Sequence, residues 1–151
     1  MKASRFLSKK EEQEVVAAIM EAEKATSGEV RVHIESVCDI DPKLRAQYNF
    51  EKLGMTKTAA RNGVLVYVAC ESRKFAVIGD EGINNVVPKD FWKDVVAAMG
   101  ECFSRGEFAA GLSKGILMIG EKLKAFFPYQ TDDENELSDE ISYGDSKDNA
   151  E

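Results

Sequence analysis

The sequence has few cysteine and histidine residues, which cross-link small domains or bind soft metals. Its 151 residues include one histidine and three cysteines, Cys38, Cys70 and Cys102, which lie far apart and form no C-x-x-C pair. An odd number of scattered cysteines argues against a disulfide framework and against a zinc knuckle. We therefore expect free thiols in a reducing, cytoplasmic compartment.

Long apolar runs and basic stretches are missing as well. The N-terminal MKASRFLSKKEEQEVV lacks the apolar segment of a signal peptide, and the run GILMIG is too short to cross a bilayer. The net charge is −7; nine acids against Lys147 give residues 128–151 a charge of −8, which leaves +1 for the rest. The short apolar runs predict a soluble protein with no membrane span. Because no basic stripe could follow a phosphate backbone, we also expect no nucleic acid partner.

Hydrophobic spacing and turn residues divide the chain into helices and strands. Ser8 and Glu11 form an S-x-x-E capping box, and the stretch GVLVYVA is apolar throughout, as a central strand is. The predicted elements are a helix over 9–25, a strand over 29–35, a helix from Asp41 to Gly54, strands over 63–69 and 75–79, a helix from Pro88 to Gly106, and a helix over 107–126. The connections make the first two strands parallel and the third antiparallel. This order predicts an α/β sandwich with a small mixed sheet.

Three loops of that predicted sheet meet at one edge, because parallel strands begin together and an antiparallel strand ends there. The loops carry oxygen-bearing side chains together with one base: Glu29, Arg61, Asn62, Asp80, Glu81 and Asn84. Carboxylates crowded in one cleft repel each other unless a positive charge lies among them, and hard divalent cations prefer such ligands. Alternatively, the polar side chains form turns and Arg61 neutralises a single acid. Both interpretations stay open at this point.

Several spaced motifs resemble the TPM domain family, whose members include thylakoid lumen proteins, membrane-anchored bacterial proteins and an acetylcholine-receptor accessory protein. The motifs extend over residues 5–143 and are TSGEVRVHI, RNGVLVYVA, FAVIGDEGIN, the FW pair at 91–92 and FPYQTDDENELSDEIS. The resemblance implies a Rossmann-like three-layer sandwich, a small mixed β-sheet with helices on both faces. The domain is expected over 5–137, followed by an acidic tail over 138–151 that we expect to be disordered.

The resemblance also implies that Ca²⁺ or Mg²⁺ binds at the loops of the SGE, RNG and GD motifs. Carried over residue by residue, these loops supply Glu29, Asn62 and Asp80, which the strand geometry also brings together. Asp133 and Glu136 of the DDENEL stretch are further candidates. The expected function is that of a cation-binding accessory or interaction protein with an unidentified protein partner.

Catalysis is the alternative function, because some members of the family are described as acid phosphatases. The chain has neither a C-x5-R phosphate cradle nor a G-x-x-x-x-G-K-[ST] loop, and Asp41–Pro42 in DIDPK is typical of a helix start rather than a nucleophile site. His33 lies mid-strand with Glu35 two residues on, and a hydrogen-bonded structural role is expected for it. Metal-assisted hydrolysis of phosphate esters at the loop cleft stays open.

Overall fold

The helices and strands follow one another in the predicted order, with two short additions. The structure is a computed structural model that describes residues 2–130 and 135–144. Its elements are α1 Lys9–Ala25, β1 Glu29–Glu35, α2 Pro42–Lys52, β2 Gly63–Ala69, β3 Lys74–Gly79, α3 Glu81–Asn84, α4 Lys93–Ser104, α5 Phe108–Leu123 and β4 Ser142–Tyr143. Short 3-10 turns lie at Ala3–Arg5 and Met55–Lys57.

Local signals explain the ends of the first two helices. The Ser8 hydroxyl accepts a hydrogen bond from the Glu11 N–H while the Glu11 carboxylate accepts from the Ser8 N–H, so the capping box is complete. Asp41 caps α2 with Pro42 in its first turn. After α2, Gly54 takes a left-handed conformation with φ of 73°, which costs little for glycine.

The sheet is mixed and has the order β3-β2-β1-β4. β1 and β2 are parallel with Glu29 opposite Gly63, and β3 is antiparallel to β2 with Gly79 opposite Val64. α1, α4 and α5 cover the face that carries Val30, Val32 and Val66. α2 covers the other face, over Leu65 and Tyr67. The three-layer α/β sandwich is confirmed.

The structure corrects the predicted helix ends. α4 begins at Lys93 rather than Pro88, because residues 88–92 form tight turns in which the Phe91 N–H bonds the Pro88 carbonyl and the Lys93 N–H bonds the Asp90 carbonyl. The four-residue α3 was expected to be a turn. α5 ends at Leu123, three residues short of the predicted end.

The last strand was not predicted. β4 pairs in parallel with β1, placing Ser142 opposite His33, and it lies within the 138–151 segment that the sequence assigns to a disordered tail. At residues 142–143 the tail prediction therefore differs from the structure, and its part over 145–151 lies outside the described residues. β4 and α2 cover the end of β1 that carries His33 and Glu35, and the segment that contains Leu137 covers Glu29, so that all three side chains are shielded from solvent.

Candidate functional site

The three motif loops do meet at the edge where β1 and β2 begin. The Glu29 N–H donates to the Asn62 carbonyl at 3.3 Å, and the Asp80 N–H donates to the Gly63 carbonyl at 2.9 Å. Glu29 and Asp80 thus lie on the same edge of the sheet, one on each side of the entrance to β2. Their side chains, however, lie in different clefts.

Asp80 is held by Arg61. The Arg61 guanidinium donates to both Asp80 carboxylate oxygens, from Nε at 2.7 Å and from Nη2 at 2.9 Å, and Asp80 also accepts from the Glu81 N–H at 2.7 Å. Asp80 is 6% exposed, and Arg61 adopts a positive φ of 51° to reach it. The bidentate pair and the cap fasten the RNG loop to α3, which matches the ion-pair interpretation of this acid.

The predicted ligands Asn62 and Asn84 also form hydrogen bonds that stabilise turns. The Asn62 amide donates to the Ser27 carbonyl at 3.2 Å and the Asn84 amide donates to the Gly79 carbonyl at 3.0 Å. Glu81 is largely exposed and lies 3.4 Å from Arg61. Asp80, Glu81 and Asn84 line a cleft of about 310 Å³ together with Arg61. The Arg61 guanidinium is therefore the cation that pairs with the carboxylate oxygens of this cleft.

Glu29 is in a different environment. It is 4% exposed, and its carboxylate accepts a hydrogen bond of 2.6 Å from the N–H of Leu137. Burial is the main cause that raises the pKa of Glu29 to about 7; the charge of Glu136 also raises this pKa, while the N–H groups of Leu137 and Glu136 lower it. Near neutral pH this carboxyl group is therefore only partly ionised.

Glu23, in the last turn of α1, shares this environment. Its carboxylate accepts from the Val30 N–H at 3.0 Å. Burial raises the pKa of Glu23 to about 9, with added contributions from a hydrogen bond to Asp139 and from the charges of Asp139 and Glu29. The side-chain charges that contribute most to these two pKa values are carboxylates, those of Asp139, Glu29 and Glu136.

Glu23 and Asp139 were not predicted as site residues. Glu23, Glu29 and Asp139 line a cleft of about 260 Å³ between the end of α1, the SGE turn and the 135–139 segment. The signal for Glu23 was available, because it follows Ile19 by four residues and Ile19 is fully buried. The signal for Asp139 was not, since it requires knowing where the acidic segment folds.

The predicted single pocket is therefore divided into two clefts. Glu136 lies on the Glu29 side, where its carboxylate also accepts from the Ala59 N–H at 3.3 Å. Asp133 lies outside the described residues. Within 2–130 and 135–144, no three carboxylate, imidazole or thiol groups lie close enough together to hold a metal ion. In the same residues no helix is long and apolar enough to cross a membrane.

The fold is a small mixed sheet with helices on both faces. Its polar loops gather at the edge where the parallel strands begin. These features define an α/β sandwich of the TPM type. The TPM domain family model matches residues 1–122. The chain belongs to the TPM domain family.

Solved structures agree with this assignment. The NMR structure of the BA42 protein from the psychrophilic bacterium Bizionia argentinensis is 45% identical, with a TM-score of 0.88 over 95% of this chain and 99% of that one. The N-terminal domain of the cg2496 protein of Corynebacterium glutamicum is 17% identical, with a TM-score of 0.62 over 76% of this chain and 72% of that one. An N-terminal domain from P. gingivalis is 19% identical, with a TM-score of 0.66 over 84% and 83%. None of the curated proteins matches the chain.

Proposed function

We propose that this TPM domain binds a divalent cation, Ca²⁺ or Mg²⁺, between the end of α1, the SGE turn and the acidic segment that precedes β4. The observation that carries the proposal is a pair of neighbouring carboxyl groups, the buried Glu29 and the half-buried Glu23, whose pKa values are raised to about 7 and about 9. Buried carboxylates are stable only when something positive or hydrogen-bonding compensates them. A cation supplies that compensation and draws these pKa values down.

The ligand types fit a hard cation. Glu23, Glu29, Glu136 and Asp139 offer carboxylate oxygens, and because no three of them converge in the described structure, binding would have to draw the acidic segment closer to Glu29. The other oxygen-bearing residues of the predicted set are Asn62, then Asp80, Glu81 and Asn84 in the Arg61 cleft, and Asp133 outside the described residues. Ca²⁺ accepts six to eight oxygen ligands in flexible geometry, whereas Mg²⁺ demands an octahedral set and keeps several waters. A site assembled from a helix end, a turn and an extended segment favours the more tolerant ion.

Binding in this position gives the domain an accessory role. The 135–140 segment contacts the sheet edge through the Leu137 side chain, which packs beside Gly63, through the Leu137 N–H, which donates to Glu29, and through the Glu136 carboxylate. A cation shared by Glu29 and Glu136 would fasten this segment to β1. The surface that a protein partner meets would then depend on the cation concentration, which suits an accessory or interaction protein.

Calorimetric titration with CaCl₂ and MgCl₂ tests the proposal. Wild-type protein is expected to bind at least one of the two ions. Glu29→Gln, which keeps the shape but removes the charge, is expected to weaken binding by about tenfold or more. Asp80→Asn is the matched control at the same edge and is expected to leave binding little changed, because Arg61 already neutralises Asp80.

The outcomes separate the alternatives. Absence of binding in the wild type overturns the proposal. Binding that survives Glu29→Gln and disappears in Asp80→Asn moves the site to the Arg61 cleft, where the sequence placed Glu81 and Asn84. A parallel titration of Asp133→Asn decides whether that residue is a ligand.

The alternative is a metal-dependent phosphohydrolase that uses the same cleft. One observation favours it: the raised pKa of Glu23, about 9, would let it donate a proton to a leaving alkoxide, provided that the cation is bound by Glu29 and not by Glu23. A bound cation would supply charge stabilisation to the phosphate group. This function requires turnover of p-nitrophenyl phosphate that copurifies with the protein and is lost in Glu23→Gln. Turnover unaffected by that change excludes it.

A further inference from the structure

A second polar site lies at the opposite edge, where the parallel strands end. His33 and Glu35 are two residues apart on β1, so their side chains project from the same face. β4 sets Ser142 opposite His33. The three side chains line a cleft of about 590 Å³, together with Arg45 and Lys52 of α2. Open α/β sheets place their ligands at the carboxyl ends of the strands, which is this edge.

The three side chains form a continuous hydrogen-bonded relay. The Ser142 hydroxyl lies 2.9 Å from His33 Nδ1, and His33 Nε2 lies 3.2 Å from Glu35 Oε2. His33 is buried, whereas Ser142 is partly exposed to the cleft. This is the arrangement of a nucleophile, its base and the carboxylate that orients the base.

Glu35 is fixed from several directions. Arg45 donates to both of its oxygens at 2.8 Å, the Tyr67 hydroxyl donates at 2.7 Å, and the Asn49 amide donates at 3.3 Å. Although burial acts to raise the pKa of Glu35, the hydrogen bonds from His33, Arg45 and Tyr67 hold it well below its usual range. Glu35 is thus a carboxylate at neutral pH and can only accept hydrogen bonds.

The ionised Glu35 carboxylate favours one tautomer of the His33 ring. Since Glu35 accepts, the uncharged form of His33 would hold its proton on Nε2 and would present Nδ1 as the acceptor for the Ser142 hydroxyl. The Tyr67 ring, stacked at 6.2 Å with an interplanar angle of 17°, supports the imidazole. The base is therefore oriented towards the serine rather than away from it.

We propose that Ser142, His33 and Glu35 form a hydrolytic relay that cleaves small polar carboxylic esters. Ser142 Oγ attacks the ester carbonyl carbon and its proton passes to His33 Nδ1. As the ester C–O bond breaks, His33 returns that proton to the leaving alkoxide. Water then attacks the acyl carbon, His33 takes its proton and delivers it to Ser142 Oγ, and the carboxylic acid leaves. Lys52 lines the cleft and is the cation that would stabilise negative charge developing on the carbonyl oxygen.

A fluorophosphonate probe tests the nucleophile directly, because loss of fluoride leaves a covalent phosphonyl group on an activated serine. Intact mass and peptide mapping are expected to show one adduct, on Ser142. Ser142→Ala is expected to abolish it, and His33→Gln to slow it about 100-fold or more. Ser138→Ala is the matched control, since Ser138 lies in the same segment and its hydroxyl accepts from the Glu140 N–H at 3.1 Å. Its labelling rate should equal that of wild type, as should p-nitrophenyl acetate turnover.

A labelling reaction that fails, or that spreads over several serines, overturns the proposal. ¹⁵N shifts of the His33 ring in the unmodified protein give an independent measurement that needs no variant. Protonated Nε2 and unprotonated Nδ1 are expected. The reverse tautomer would prevent the imidazole from accepting the serine proton and would also overturn the relay. Glu35 acts here as a positioning residue, so Glu35→Gln should change these ring shifts, whereas Ser142→Ala should preserve the tautomer.

Discussion

β1 begins and ends with a buried glutamate, and the pKa values of these two glutamates are shifted in opposite directions. Glu29 is 4% exposed and Glu35 is 7% exposed. The pKa of Glu29 is raised to about 7, chiefly by burial, whereas that of Glu35 is held well below its usual range by its hydrogen bonds. Burial is common to both, so the partners decide the direction.

The partners come from different helices. α2 sends Arg45 and Asn49, one turn apart, to Glu35, and β2 adds the Tyr67 hydroxyl. At the other end, α1 and the acidic segment present Glu23 and Glu136 towards Glu29. One end of the strand is therefore compensated by the protein itself, and the proposed cation would compensate the other.

Removing Glu35 should have the largest effect on stability. Glu35→Ala leaves the Arg45 guanidinium, the Tyr67 hydroxyl and the His33 ring without their shared acceptor. Breaking a buried, hydrogen-bonded ion pair typically costs about 3–5 kcal/mol. Urea unfolding at pH 7 measures the loss; Glu21→Ala, at a solvent-exposed pair with Lys24, is the control and should stay within about 0.5 kcal/mol. A loss below about 1 kcal/mol for Glu35→Ala would mean that the network contributes little.

The pH dependence of the free energy of unfolding should distinguish the two ends of β1. In cation-free protein the raised pKa values of Glu29 and Glu23 mean that the folded state binds more protons than the unfolded state above about pH 4.5. Stability should fall as pH rises from 5 to 9, by about 1–3 kcal/mol for a shift like that of Glu29. Glu35 acts in the opposite sense: its contribution is present above about pH 4.5 and is lost on acidification.

Glu29→Gln and Glu23→Gln should each flatten the decline above pH 5, and calcium or magnesium should flatten it in the wild type. Unfolding by urea at pH 5, 7 and 9 checks this. A wild-type stability that increases across this range would contradict the assignment of uncompensated carboxyl groups.

Gly144 tests how closely the chain packs against Glu35. A Cβ atom at this position would lie 2.6 Å from Glu35 Cγ, which cannot easily withdraw because Arg45 and Tyr67 hold the carboxylate. Gly144→Ala should lower stability by about 1–3 kcal/mol. Gly100→Ala is the control, since its Cβ would meet Phe75 at an ordinary 3.6 Å. Equal melting temperatures for the two variants would show that the carboxyl-terminal end tolerates displacement of Glu35.

Asp80→Ala should cost less than the Glu35 change, because Asp80 has one charged side-chain partner whereas Glu35 also holds Tyr67, His33 and Asn49. The change removes the cap of the short α3 helix, for which about 0.5–2 kcal/mol is typical, and it also breaks the bidentate pair with the partly exposed Arg61. The heat of calcium binding should be unchanged, since Asp80 belongs to the Arg61 cleft. Thermal unfolding and calorimetry on one preparation distinguish this structural role from that of a ligand.

Local patterns predicted the parts of the fold that depend on neighbours in sequence. The capping box at Ser8 and Glu11, the apolar strand at 63–69 and the cap at Asp41 each carry a local signal, and topology alone brought Glu29 and Asp80 to one edge. Whether Arg61 or a cation compensates Asp80 depends on a side-chain geometry that strand order does not determine.

The pairings made by the segment around residues 135–144 could not be predicted. Ser142 and His33 are 109 residues apart, and nothing in the sequence around Ser142 indicates a two-residue strand beside β1. The same holds for Asp139 beside Glu23, which depends on how the segment before β4 crosses the sheet edge. Both sites are completed by this one segment, whose composition is that of an acidic tail.

The central claim is that the two glutamates of β1 are held in opposite electrostatic environments, one of which a divalent cation can compensate. Side-chain ¹³C titration of Glu29 and Glu35 by NMR, with and without calcium, tests it most directly. The account predicts a pKa near 7 for Glu29 that falls on adding calcium, and a pKa for Glu35 well below the usual range that calcium leaves unchanged. Two ordinary glutamate titrations, unaffected by calcium, would contradict it.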